Sequence, residues 1–351
     1  MENPVNPKLM RTTHWLLIVA TSLLMLKYFE SIFKPLVIAF LFWYLINELN
    51  GVLSRIKLFG KQIPFFIRGL MGTGIVVLIL LGITEVISVN VSQIIVKSAE
   101  LENQGDEIVH KLSQKLDNPK LMQDVEKYVR DIDFTNQART TLNFVSSLFS
   151  NFFVVLIYVI FMLLEEGKMK GKLSKLFPNK DHENDGLIDI ARKVNESIKT
   201  YLVSKTIVSF ITGVLGYIVL LLFHVDFPVL WAFLIFLLNY IPYVGSLLAT
   251  VLPAVYAMFQ FGDPMYVIYV LSSIQAVQLL MGSIIEPKLM GKTLNLSPLT
   301  VLLSLVIWGY IWGIIGMILS VPITSFLVII MSHFDSSRPI AIFLSENGEI
   351  E

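Results

Sequence analysis

The sequence predicts an all-α membrane protein: a multi-span helical bundle with two inverted re-entrant helical hairpins and an extracytoplasmic helical insertion. Three observations predict it. Of the 351 residues, 55% are hydrophobic and 15% charged, where a soluble domain is about one quarter charged. Several apolar segments approach or exceed the roughly 20 residues that carry a helix across about 30 Å of hydrocarbon. Two further apolar stretches, 228–259 and 298–332, are each broken near the middle by a run containing Gly or Pro.

The first span runs from about Thr12 to Phe29, behind Lys8 and Arg11. No small-residue cleavage site follows it, so it reads as an uncleaved anchor. The second runs from Phe33 to about Asn47, with Pro35 near its first turn, where proline is tolerated. The third runs from Ile63 to about Val89, the fourth from Phe144 to Leu164, and the fifth from Thr206 to Phe223. In 228–259 the break is Asn239-Tyr240-Ile241-Pro242-Tyr243-Val244-Gly245; in 298–332 it lies between Gly309 and Gly316. A continuous span, 264–286, separates the two stretches. Each arm has about 12–16 residues, or ~18–24 Å at 1.5 Å per residue, which is too short to cross the core. Two such arms predict a re-entrant hairpin. A long, tilted, kinked helix is the other reading, because Gly and Pro are common in membrane helices.

Lysine and arginine mark cytoplasmic loops. Arg55, Lys57, Lys61 and Arg68 follow the second span. Segment 165–205 holds nine basic and seven acidic residues, and segment 90–142 the reverse balance of seven and nine. This predicts cytoplasmic N- and C-termini, 90–142 outside and 165–205 inside. The two broken stretches then face opposite ways, each beside one full span. Within 90–142, Ile108/Leu112/Leu116 and Met122/Val125/Val129 have helical spacing, and Asn118-Pro119 marks a turn between two helices. This segment reads as an amphipathic hairpin packed on its own chain or a sister subunit. In 186–205, Ile190, Val194, Ile198 and Tyr201 share a face opposite Arg192, Lys193, Glu196 and Lys199. Such a basic amphipathic helix often lies in the membrane interface.

Several functions lack their residues. With 27 basic and 27 acidic residues, the chain presents no field for nucleic acid. It has no cysteine, so disulfides, thiolate metal sites and cysteine catalysis are excluded. His14, His110, His182, His224 and His333 stand apart, which leaves no zinc pair and no acid–base dyad. No Gly-rich phosphate loop is present. An enzyme is poorly supported, and no metal or cofactor is implied.

Broken helices say more. Interrupted apolar segments in corresponding halves mark the substrate site of many secondary transporters, where unwound backbone and half-helix ends meet the solute. Here the candidate path residues are Asn239, Pro242, Gly245, Gly309, Gly313 and Gly316. The glycines fit small-residue helix packing equally well, Gly309-x-x-x-Gly313 in particular. Gln275, Gln278, Gly282 and Glu286 form a polar stripe on the intervening span. The glutamines either line the path or hold the helix to its neighbours. Glu286 and Glu85 are the only acids well inside apolar stretches, so ion coupling would need one of them.

These segments resemble the autoinducer-2 exporter (AI-2E) family of bacterial membrane proteins. The likeness is carried by Phe33-Lys34-Pro35-Leu36-Val37-Ile38-Ala39-Phe40, by the Asn239–Gly245 run, and by Glu286-Pro287-Lys288-Leu289-Met290-Gly291-Lys292. Leu296-Ser297-Pro298-Leu299, Trp308-Gly309 through Gly313-Ile314-Ile315-Gly316, and Val321-Pro322 complete it. It covers nearly the whole chain. Asn47-Glu48 departs from the asparagine-proline expected at the end of the second span. The resemblance implies a multi-pass protein of the bacterial cytoplasmic membrane that exports a small signalling molecule or a related solute. It also implies a homo-oligomer, with a pentamer the assembly it suggests. Family members assigned to sodium/proton antiport leave that activity as an alternative, through Glu286 or Glu85; a channel-like or structural assembly is a further one. The expected organisation is 1–89 N-terminal scaffold spans, 90–142 extracytoplasmic insertion, 143–164 fourth span, 165–205 cytoplasmic segment, 206–332 transport unit with both hairpin tips near the midplane, and 333–351 cytoplasmic tail.

Overall fold

The computed structural model describes residues 7–54, 57–58, 61–62, 64–114, 119–133, 135–136, 139–140, 152–176, 182–290 and 295–348. These residues are overwhelmingly helical. Helix α1 (Pro7–Tyr28) meets α2 (Glu30–Leu53) at a tight junction. A two-residue antiparallel ladder, β1 (Lys57–Leu58) on β2 (Lys61–Gln62), leads to α3 (Phe65–Ser113). Then come α4 (Pro119–Arg130), α5 (Phe152–Leu176) and α6 (His182–Leu222). The first hairpin is α7 (Pro228–Leu238) and α8 (Val244–Phe261). Helix α9 (Met265–Leu280) continues through a π-helical turn (Met281–Ile285) into α10 (Glu286–Met290). The second hairpin is α11 (Pro298–Trp312) and α12 (Ile314–Ser332), followed by α13 (Arg338–Leu344). Among the described residues, six segments are long and apolar enough to cross a membrane: Glu30–Gly51, Ile67–Ser98, Arg192–Leu222, Val244–Phe261, Met265–Met290 and Ile314–Ser332.

Both broken stretches fold back on themselves. In the first, the Phe227 and Trp231 rings sit 5.8 and 5.3 Å from the Tyr256 ring. In the second, Trp308 Nε1 donates to Thr324 Oγ1 across the arms (3.1 Å). A single kinked helix cannot make either contact. The arms are less even than the sequence suggests. The leading arms have 11 and 15 residues, but the returning arms have 18 and 19. At 1.5 Å per residue the latter reach about 27–28 Å, close to the hydrocarbon thickness. The reason is local. Helix resumes inside both break runs, at Val244 and Ile314, and continues through Pro253 and Pro322.

Two equivalent glycines close the hairpins. A Cβ on Gly245 would fall inside the Leu238 carbonyl, and one on Gly316 inside the Trp308 carbonyl. Backbone therefore lies against backbone at the tips, at a distance only glycine permits. Gly313 has φ +67° and ψ −144°, a region essentially reserved for glycine.

Three further boundaries differ from expectation. The third span and the start of the insertion are one 49-residue helix, α3. The amphipathic segment 186–205 and the fifth span are one 41-residue helix, α6, rather than an interfacial helix followed by a span. Its first half packs on α2: Tyr44 Oη donates to the Asn195 carbonyl (2.9 Å), and Lys199 pairs with Glu48 (2.6 Å). Glu48 of that pair is the residue of the Asn47-Glu48 departure. Without a proline at 48, α2 keeps its hydrogen bonds and runs on to Leu53. The expected turn at Asn118 and the start of the fourth span lie outside the described residues.

The chain forms two compact units, 44–153 with 185–295, and 1–43 with 154–184 and 296–351. The hairpins thus fall in different units. In the first unit, a core of Ile87, Val91, Ile94, Leu101, Ile108 and Val129 from α3 and α4 packs with Trp231, Ile235, Tyr256, Phe259 and Ile274. The insertion is therefore bonded to the base of the first hairpin. Lys111 Nζ donates to the Gly262 carbonyl (2.7 Å), which covers an orphan acceptor just beyond the end of α8. In the other unit, Trp308, Ile311 and Trp312 pack with Leu26, Phe33, Val37 and Ile323. Helix α13 returns to the base of the second hairpin. The Leu344 carbonyl accepts from the Ser297 N–H (3.0 Å) and from Thr300 Oγ1 (2.9 Å).

Candidate functional site

The membrane-length part of α6, Arg192–Leu222, is apolar overall yet carries a polar ladder. Ser197, Tyr201, Lys205, Ser209 and Thr212 are all buried, at steps of four, four, four and three residues. A 3.6-residue period puts them on one face. That face meets the tip of the first hairpin. Asn239 Nδ2 donates to Ser209 Oγ (3.1 Å), and Tyr240 Oη donates to Thr206 Oγ1 (2.8 Å). Thr206 in turn donates to the Leu202 carbonyl (2.7 Å). Two side-chain bonds thus dock the tip on α6.

One turn earlier, Lys205 Nζ pairs with Glu286 Oε1 at 2.6 Å, with the side chains 8% and 21% exposed. Next to it, Ser204 Oγ donates to the Leu289 carbonyl (3.3 Å). A single charge inside a bilayer costs several kcal/mol, so charges there are paired and face protein or water. The π-turn explains how Glu286 arrives. Its i→i+5 bonding adds about one residue to the turn and rotates all that follows. The stripe expected at 275, 278, 282 and 286 is consequently broken. Gln278 is buried, Gln275 half-buried and Gly282 exposed, while Glu286 swings to Lys205. Within this strip the buried Tyr201 hydroxyl lacks a hydrogen-bond partner, and on α9 so does the buried Gln278 Nε2. Buried polar atoms are rarely left so unless water, an ion or a ligand visits them.

The tip is strained. Tyr243 adopts φ +58° and ψ −61°, and the Val244 N–H bonds to the Pro242 carbonyl (2.6 Å), a γ-turn of the rarer hand. A bulky residue there costs about 1–3 kcal/mol. Pro242 precedes it and is half-buried.

Of the predicted site residues, the structure brings Asn239 and Glu286 onto the α6 face. Gly245 holds the hairpin arms together. Gly309, Gly313 and Gly316 belong to the other hairpin and the other unit. There, Gly309 faces the flexible Met317 side chain, and a Cβ on Gly313 would meet open space. That tip is anchored to α1: Lys27 Nζ donates to the Ile311 carbonyl and Trp312 Nε1 to the Leu26 carbonyl, both at 3.1 Å. Lys27 also pairs with Glu30, as does Lys34. Glu85 is exposed on α3 and makes no ion pair among the described residues. No group of three His, Asp or Glu that could hold a metal occurs among the described residues. Sequence reasoning placed Tyr201 only on an apolar face and missed Lys205, Ser209 and Thr212; their three- to four-residue spacing is the available signal.

Six apolar helices of membrane-spanning length among the described residues, paired hairpins and a buried polar strip are the features of a multi-pass helical membrane protein. The family model for AI-2E family transporters matches residues 16–336, and the chain belongs to that family. A putative transport protein of Borreliella burgdorferi is 30% identical over 91% of this chain and 86% of its own. The AI-2 transport protein TqsA of Escherichia coli is 37% identical over 57% of each chain. A putative transport protein of Haemophilus influenzae is 39% identical over 61% of this chain and 60% of its own. Against TqsA and the Haemophilus protein, the chain thus spans about three fifths of the relative's length. The family is one of membrane transporters, and the apolar helices fit a multi-pass protein of the bacterial cytoplasmic membrane.

Proposed function

We propose that the chain exports a small polar solute, an autoinducer-2-like signalling molecule, past the docked tip of the first hairpin. It acts as a carrier and not as an enzyme. The observation that carries this reading is the buried polar ladder on α6, with the Tyr201 hydroxyl left unpartnered on it. Part of the strip docks the hairpin tip and pairs with Glu286; the free Tyr201 hydroxyl beside these contacts fits a hydroxyl-rich passenger. Substrate class and direction draw on family membership and on the name of the TqsA relative. In this reading both hairpins are re-entrant and face opposite ways, both termini are cytoplasmic, and the protein works as a homo-oligomer, a pentamer being the expected form. Only the first hairpin undocks during the cycle. The second, tied to α1, stays with its own unit, so Gly309 and Gly316 keep its arms close and Gly313 shapes its turn, rather than touching the solute.

Asn239→Ala tests this. Expression and assembly should persist, while export measured as uptake into inverted vesicles falls at least tenfold over a panel of small polar solutes. Uptake at the wild-type rate would remove the tip from the path.

A second reading is sodium- or lithium-coupled proton antiport at Glu286. The Lys205–Glu286 pair favours it, because a cation or proton at Glu286 must displace the ammonium. It requires cation-dependent proton flux in proteoliposomes, lost in Glu286→Gln and unaffected in Glu85→Gln.

A further inference from the structure

A groove runs between α3, α6 and α7 in the unit that holds the first hairpin. Its apolar part is a cavity of about 660 Å³, walled by Ile83 and Ile87 of α3, Phe210 and Tyr217 of α6, and Val229 and Phe233 of α7. Gly82 lines it too, and a Cβ there meets nothing within 4 Å. A polar cavity of about 550 Å³ follows along the same α3, at Asn90, Gln93 and Lys97, against Asp226, Phe227 and Pro228 at the start of α7. Lys97 Nζ lies 2.6 Å from Asp226 Oδ2, and both side chains stay open to the outside, at 44% and 35% exposure. Lys97 also stands 5.8 Å from the centre of the Phe227 ring.

The geometry points to a bound phospholipid with a zwitterionic phosphate–ammonium headgroup, one acyl chain lying in the apolar cavity. Length agrees. On α3 the apolar wall spans Ile79 to Ile87, about 12 Å, and the polar wall spans Asn90 to Lys97, about 10 Å. One leaflet offers ~15 Å of hydrocarbon and ~5–7 Å of headgroup layer. Charge agrees as well. Lys97 can take the phosphate while Asp226 takes the ammonium, whereas a purely anionic headgroup would meet the like charge of Asp226. An aqueous solute would gain nothing from the apolar wall, and a free phosphate would leave it empty. The acyl chain lies against Phe233 and Val229, on the leading arm of the hairpin, so occupancy would bear on the moving element.

The test uses full-length protein, stripped of lipid in detergent and titrated with palmitoyl-oleoyl phosphatidylethanolamine or phosphatidylglycerol, with bound lipid counted by native mass spectrometry. The expected result is one phosphatidylethanolamine per chain, held at least tenfold more tightly than phosphatidylglycerol. Gly82→Trp should lower that affinity at least tenfold, and Lys97→Glu should abolish the preference. Equal retention of the two lipids by the unaltered chain overturns the site, whatever the variants do. So does unchanged phosphatidylethanolamine binding in Gly82→Trp, or a disulfide between Gly82→Cys copies in native membranes, which would give the groove to a second subunit.

Discussion

Removing either half of the Lys205–Glu286 pair should cost far more than removing both. Glu286→Gln leaves an ammonium with 8% of its side chain exposed and no counter-ion. Breaking a buried pair in this way typically costs about 3–5 kcal/mol, whereas replacing both partners by neutral groups is often nearly neutral. Glu286 keeps 21% exposure, so Lys205→Met, which strands the carboxylate, should fall toward the lower end of that range. With Lys205→Met/Glu286→Gln, the double-mutant cycle should return a coupling of at least about 2 kcal/mol. SDS-driven unfolding in mixed micelles, read by circular dichroism, measures all four forms. Additive single losses below about 1 kcal/mol would show that the pair behaves as a screened surface contact, and the enclosed charge site described above would be wrong.

Other substitutions separate the remaining contacts. Gly245→Ala and Gly316→Ala place a Cβ inside a backbone carbonyl, so each should destabilise by at least about 1–3 kcal/mol as the arms are forced apart. Gly74→Ala, a helical position where a Cβ meets nothing within 4 Å, should be neutral or stabilising by up to about 1 kcal/mol in the same unfolding assay. At the tip, Tyr243→Gly should relieve strain and raise stability by about 1 kcal/mol, while Tyr243→Val lowers it. Equal stability of these two variants would remove the strained turn from the account.

Much of this protein is legible from local signals. Apolar run lengths locate the spans, and Asn239–Gly245 and Gly309–Gly316 announce where the chain turns back. The sequence does not show where helix resumes after a break, because glycine and proline are tolerated inside apolar helices. Hence α8 and α12 come out longer than the apolar pattern alone implies. The charge pair is less accessible still. Lys205 reads as the last basic residue of an amphipathic helix, and its partner lies 81 positions away. Contact between them depends on a π-turn that no composition announces. Glu85 and Glu286 look alike as acids in apolar runs, and only burial and pairing tell them apart. The glycines at 309, 313 and 316 likewise divide by role: Gly316 enforces close approach, and Gly313 supplies a backbone angle.

Movement of the first hairpin tip away from α6 is the step on which transport rests in this account. The chain has no cysteine, so a pair at Ser209→Cys and Asn239→Cys, where the native side chains touch at 3.1 Å, can be oxidised without side reactions. Uptake into inverted vesicles should stop when the pair is oxidised and recover when it is reduced. Full-rate uptake by the locked protein would contradict the account.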